Sequence, residues 1–212
     1  MIWHARDTAA FNPKYFDKKS IRDTLGISQN LKIVMFFGTP RPFKGLEELI
    51  EATKLLQDRD IVLTIVGIDE HDNYCKSFVE LAKNQLGEHF KGLGLQSFEK
   101  VPEFLAIADV IAIPQKNNSA TVGQVPAKVF DAMAMAKPVV ATAVSDLPEI
   151  LDGCGWIVEP EKPEELAQAI TYILEHPEEA EQKGQKARIK CIENYSWDAM
   201  EKVLGDVFKK YQ

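Results

Sequence analysis

The chain has 212 residues, 45% of them hydrophobic and 27% charged, and a formal net charge of −7. That length supports a substantial core, and the acidic balance argues against a general nucleic-acid binder, which gathers Lys and Arg on its surface. No apolar run approaches the roughly 20 residues of a membrane-spanning helix; peripheral association of a longer protein with a membrane stays open.

Residues 1–30 show little periodicity beyond a short polar helix over 19–25, and Phe11, Pro13 and Phe16 predict an ordered linker lying on the domain that follows. The opening residues, Met1 to Asp7, lack the basic-then-apolar order of a secretory leader. Cys75, Cys154 and Cys191 are odd in number, far apart and without metal-ligand spacing, which predicts reduced thiols in a cytoplasmic protein and no metal site.

From residue 31 apolar strands alternate with helices. Strands are predicted over 33–37, 61–66 (stopped by Gly67), 89–93, 110–113, 139–141 and 155–158. Helices are predicted over 44–56, 73–85, 101–106 and 127–136, from apolar residues at helical spacing. Strands this apolar are covered on both faces. The alternation predicts an α/β fold, a Rossmann-like doubly wound parallel sheet with a C-terminal helical extension. The extension comprises helices over 163–174, 177–194 and 196–211, with Pro163 and Pro177 in first turns and Ser196 as an N-cap.

Ligands of such sheets settle at the C-terminal strand edge, near helix starts. The loop Gly38-Thr39-Pro40-Arg41-Pro42-Phe43-Lys44-Gly45 belongs there. Gly38 permits a tight turn, and Arg41 and Lys44 offer two cations to an anion. The loop is neither a Walker A loop nor a GxGxxG fingerprint, which counts against ATPases and dinucleotide-binding dehydrogenases. A second polar loop, 117–126, feeds the helix that carries Lys128 and Asp131, three apart and so on one face. There an amine can neutralise phosphate and a carboxylate can accept from a ribose diol. The plainer readings are solvated loop cations and a surface ion pair of little worth. His4, His71, His89 and His176 have no carboxylate or cysteine clustered around them in sequence, so structural or surface roles are expected.

In order and spacing, these pieces resemble the C-terminal, donor-binding domain of retaining GT-B glycosyltransferases of the group 1 family. The landmarks are the 37–45 loop, Val66-Gly67, Ala108-Asp109-Val110-Ile111-Ala112-Ile113-Pro114, Pro126-Ala127-Lys128-Val129-Phe130-Asp131-Ala132-Met133-Ala134, Lys137-Pro138-Val139-Val140-Ala141-Thr142, Gly155-Trp156-Ile157-Val158 and Tyr195-Ser196-Trp197. Asp7, Phe11 and Pro13 match the family's interdomain linker.

The resemblance implies a linker-like segment at 1–30, a nucleotide-sugar-binding domain at 31–194, and a final helix at 195–212 packing back toward an acceptor-binding N-terminal domain, supplied in cis or in trans. It also implies sugar transfer from a nucleoside-diphosphate sugar with retention, and no cofactor beyond that substrate. By this resemblance Gly38, Arg41, Lys44 and Lys128 bind the donor diphosphate and Asp131 the ribose. Gly123, Gln124 and Val125 face the phosphate and sugar, and Leu95 and Gln96 lie against the base. The resemblance assigns no catalytic residue. Three positions depart from the family pattern: Asp131 replaces the more usual Glu, Gly123 replaces an acidic residue expected eight positions before Asp131, and Thr39 replaces an Arg. The alternatives are a non-catalytic nucleotide-binding module of the same fold and a GT-B-like sugar-nucleotide epimerase.

Overall fold

The computed structural model describes residues 3–56 and 60–209; Met1, Ile2, Tyr211 and Gln212, which belong to the linker-like start and the last helix in the sequence reading, lie outside them. The elements in chain order are α1 (Lys18–Thr24), β1 (Lys32–Phe37), α2 (Leu46–Lys54), β2 (Ile61–Ile68), α3 (Asn73–Leu86), β3 (Phe90–Gly94), α4 (Val101–Ile107) and β4 (Val110–Ile113). They continue with α5 (Lys128–Ala134), β5 (Val139–Thr142), α6 (Leu147–Ile150), β6 (Trp156–Val158), α7 (Pro163–Glu175), α8 (Pro177–Tyr195) and α9 (Trp197–Lys209). The strands form one sheet in the order β3-β2-β1-β4-β5-β6, and every pairing is parallel.

Strand periodicity divides the interior into two layers. Ile33, Met35 and Phe37 of β1, with Ile111 and Ile113 of β4, join residues of α4, α5, α6 and α8. The alternate residues Val34, Phe36, Val110 and Ala112 join α2, α3 and α7 on the other face. A strand buried on both faces has no polar side to show, hence the continuous apolar runs in the sequence.

The chain order reverses between β1 and β4. The loops leaving these neighbours diverge to helices on opposite faces, which opens a crevice at the C-terminal strand edge. Two contacts fix the loops to each other. Lys116 N–H donates to the Phe43 carbonyl at 3.1 Å. Gly45 (φ +65°) packs so closely that a Cβ there would lie 1.7 Å from the Pro114 carbonyl oxygen. Gly45 also explains a difference from the expected helix over 44–56: Pro42–Lys44 form a short 3-10 turn, and α2 starts only after the left-handed glycine.

Other boundaries shift for local reasons. β2 does not stop at Gly67 but passes through it to Ile68, with an irregular register against β3. The helix expected over 127–136 is shorter, ending at Ala134, and Ala136 takes a positive φ of 52°. α6, four residues long, was not anticipated, being too short to show a period. Ser196 caps α9 as expected, its Oγ accepting from Ala199 N at 3.0 Å.

The N-terminal segment lies on the domain. Phe11 is buried in the layer with α4, α5 and α8. Arg188 of α8 donates to the carbonyls of Phe11 and Thr8 at 2.6 and 3.1 Å. Asp109 accepts from Lys18 at 2.7 Å, Arg22 at 2.8 Å and the Ile33 amide at 2.8 Å, tying α1 to the base of β1 and β4.

Candidate functional site

Gly38 ends β1 with φ +113° and donates its amide to Val66 O at 2.8 Å. A side chain is strained in that conformation, and it would also meet two ammonium groups. The position of a Cβ on Gly38 lies 3.2 Å from Lys128 Nζ and 3.9 Å from Lys44 Nζ. Lys44 reaches this point from the 3-10 turn before α2, and Lys128 from the first turn of α5, so the two faces of the sheet each send one cation to the same glycine.

Neither cation forms a salt bridge with a described carboxylate, and Asp131 acts on Lys128 only at longer range. Lys44 Nζ donates to the Thr39 carbonyl at 2.5 Å. Lys128 Nζ sits over the Phe36 ring, 4.2 Å from its centroid, and no described carboxylate forms a salt bridge with it. Burial, and then the nearby Arg41, lower the Lys44 pKa. Burial, and then Lys44, bring Lys128 well below the ordinary lysine range. Two partly buried ammonium groups aimed at one backbone position can accept an anion, because an anion between them would relieve both the repulsion and the desolvation.

Arg41 is placed differently. Its guanidinium donates to Asp72 Oδ2 at 2.8 Å. Asp72 also caps α3 by accepting from Cys75 N at 2.9 Å. Arg41 therefore lines the same loop without joining Lys44 and Lys128 at Gly38, and its side chain stays 39% exposed.

Asp131 is buried on α5. It does not pair with Lys128; instead Arg6 of the N-terminal segment donates Nε to Asp131 Oδ1. Arg6 Nη2 also donates to the Ala127 carbonyl at 3.0 Å, just before α5, and lies 3.5 Å from Asp131 Oδ2. Burial raises the Asp131 pKa, while Arg6, Lys128 and His4 oppose that rise.

The remaining predicted residues sit along the same strand edge. Leu95 and Gln96 follow β3, Leu95 60% exposed and Gln96 Nε2 donating to Gly94 O at 3.2 Å. Gly123 and Gln124 are exposed in the loop before α5, with nothing within 4 Å of a Cβ placed on Gly123. Val125 packs against the core. A separate cavity of about 470 Å³ between α3 and the edge strand β3, lined by Ile68, Val79, Lys83 and Gly92, includes none of these residues.

Reading the sequence missed Arg6, Asp72 and Lys116. Asp72 was findable, since an Asp three residues before Cys75 at a helix start is a capping signal. Arg6 and Lys116 act across long separations and leave no local pattern.

The three cysteines are buried and free. Among the described residues no group of three His, Cys, Asp or Glu could hold a metal ion, and no helix is long and apolar enough to cross a membrane.

Comparison with known proteins places these features. The family model described as glycosyl transferases group 1 matches residues 17–190. An MMP alpha-(1->4)-mannosyltransferase of Mycolicibacterium hassiacum is 28% identical over 203 residues, covering 93% of this chain and 47% of its own length. An Anabaena protein solved with UDP and glucose superposes with a TM-score of 0.84 at 20% identity, over 98% of this chain and 56% of that one. The crystallised C-terminal domain of a group 1 glycosyl transferase from Francisella tularensis gives a TM-score of 0.75 at 22% identity, over 91% of this chain and 99% of that domain. The chain spans about half the length of the curated relatives it matches. With the Rossmann-like sheet and the cations gathered at its switch point, these matches establish that the chain belongs to the group 1 glycosyltransferase family.

Proposed function

We propose that this chain is the donor-binding half of a glycosyltransferase that takes a sugar from a nucleoside-diphosphate sugar, with retention at the anomeric carbon. The observation that carries the reading is the convergence of Lys44 and Lys128 on Gly38. A diphosphate seated there has its charge balanced from both faces of the sheet, and the same contacts strengthen as the leaving diphosphate gains charge during transfer. Asp131 lies three residues further along α5, where a carboxylate can accept from a ribose diol. Leu95 and Gln96 offer a surface for the base. A protein of the same fold was solved with UDP and glucose, which supports a nucleotide-sugar as the kind of ligand proposed.

Transfer itself needs an acceptor wall facing the crevice, and the proposal assigns that wall to a second domain, in cis or in trans. The exposed Gly123, where an acidic residue would face the donor sugar, favours a second reading: a module that binds nucleotide without catalysis. Calorimetry of the folded chain with UDP, GDP and ADP tests the shared claim. Binding of at least one, lost in Lys44→Ala, supports the donor site, and no binding by any of the three overturns it. Adding a catalytic partner domain and measuring transfer then separates the two readings.

A further inference from the structure

We propose that Arg6 is a positioning residue of the donor site: it reaches from the N-terminal segment to serve as the fixed counter-ion of Asp131, and so connects that segment to the ribose end of the crevice. The proposal rests on the reading of Asp131 as the donor-ribose acceptor.

The geometry has three parts. First, the Arg6 backbone is held from both sides. Its N–H donates to Tyr195 O at 2.8 Å, and its carbonyl accepts from Trp197 N at 3.0 Å. These two bonds form a parallel bridge to Ser196, at the joint between α8 and α9. Second, the side chain is almost enclosed, with 12% of Arg6 and 6% of Asp131 exposed. Nη1 donates back to Ala5 O at 2.9 Å and Nη2 to Ala127 O at 3.0 Å, so the guanidinium is fixed before it meets the carboxylate. Third, the guanidinium meets the carboxylate side-on, through Nε and Nη2. Each carboxylate oxygen keeps a second lone pair, and those are what a vicinal diol needs.

Charge bookkeeping around Asp131 leaves Arg6 as its principal partner. From the same N-terminal segment His4 adds a weaker positive influence, and from α5 itself comes Lys128. Lys128 is itself pushed toward the neutral form by burial and by Lys44. From α8, Cys191 faces the pair with its thiol pushed up to about 12 by burial, so it stays neutral. Arg188 of the same helix spends its hydrogen bonds on the carbonyls of Thr8, Phe11 and Ala134. Without Arg6, burial acts on Asp131 with little opposition, and a protonated carboxyl has lost acceptor capacity for the diol.

The test uses Arg6→Gln, which keeps length and polarity but removes the charge, and Arg6→Lys, which keeps the charge without the fork. The Asp131 carboxyl is titrated by carbon-13 NMR in the nucleotide-free chain, and UDP binding is measured by calorimetry from neutral pH downward. Expected for Arg6→Gln are an Asp131 titration at higher pH, UDP binding roughly tenfold weaker near neutrality, and an acid loss of binding that starts at higher pH. Arg6→Lys returns the titration toward the wild-type position and recovers part of the affinity. A merely structural role would lower thermal stability and leave both pH profiles in place. An Asp131 titration and a UDP affinity unchanged in Arg6→Gln overturn the assignment. So does tighter UDP binding, which would make Arg6 a competitor of the ribose. A wild-type chain that binds no nucleoside diphosphate overturns the donor reading instead, and the two failures are distinguishable because the Asp131 titration is read without ligand.

Discussion

Two arginine–aspartate pairs flank the crevice, and they differ in almost everything but composition. Arg6–Asp131 is enclosed, with side-chain exposures of 12% and 6%, and joins residues 125 positions apart. Arg41–Asp72 stands half in solvent, with exposures of 39% and 27%, and joins two neighbouring loops. An enclosed pair has little intrinsic gain over an apolar filling, but it cannot lose one partner cheaply, because the other remains charged and dry. An exposed pair is screened by water and can open at little cost. The buried pair is therefore built to hold a geometry, whereas the Arg41–Asp72 pair can open, and under the proposed donor site Arg41 would then exchange Asp72 for a phosphate.

The largest expected effect follows from that contrast. Asp131→Ala leaves the Arg6 guanidinium enclosed without its carboxylate and should destabilise the fold by about 3–5 kcal/mol in denaturant unfolding. If it costs no more than Asp72→Ala, burial is not what separates the pairs.

The next effect sharpens the comparison by adding Lys128, which forms no salt bridge with a described carboxylate. Lys128→Met removes a buried cation that repels Lys44, so the free chain should melt at a higher temperature. The same change should weaken UDP binding tenfold or more, on the order of 1.5–3 kcal/mol for a lost charged hydrogen bond. The sign with pH follows from the lowered pKa of Lys128 and Lys44 in the folded chain. Between those folded values and the ordinary lysine value of 10.5 the unfolded chain binds more protons, so stability rises with pH across that window. Lys128→Met should flatten the rise, which thermal melts over a pH series would show. A melting temperature that falls would mean that Lys128 is satisfied in the free chain.

Most of the fold was legible in the sequence because its strands are buried on both faces and its longer helices, α2, α3 and α7 among them, keep a clean period. What was not legible came from single contacts. Nothing local marks Gly45 as the residue that delays α2, since the cause is the Pro114 carbonyl on the neighbouring loop. Lys44 and Lys128 were each visible as cations near helix starts; their convergence on Gly38 depends on β1 and β4 being neighbours at the point where the sheet order reverses. Asp131 was visible as a carboxylate beside Lys128, yet its actual partner is Arg6, which no spacing rule connects to it. Arg41 reads in sequence as the equal of Lys44, and only the position of Asp72 at the start of α3 distinguishes them.

That distinction sets the smallest effect. If Arg41 divides its time between Asp72 and a phosphate, Arg41→Ala should weaken UDP binding by less than about tenfold, and by less than Lys44→Ala. Asp72→Ala should then leave UDP affinity equal or slightly improved, because the competing carboxylate is gone. It should also lower the melting temperature a little, since α3 loses the acceptor for Cys75 N. The backbone hydrogen bond from Cys75, and to a lesser degree Arg41, hold the Asp72 carboxyl below its ordinary range. Its contribution to stability is therefore present above the unfolded carboxyl pKa and is lost as pH falls through the lower folded value. The wild-type and Asp72→Ala melting curves should converge at acid pH. Calorimetry of the two variants side by side decides the matter: a large loss of affinity in Asp72→Ala would show that the pair aims Arg41 at the ligand, and would make the exposed pair a fixed device like the buried one.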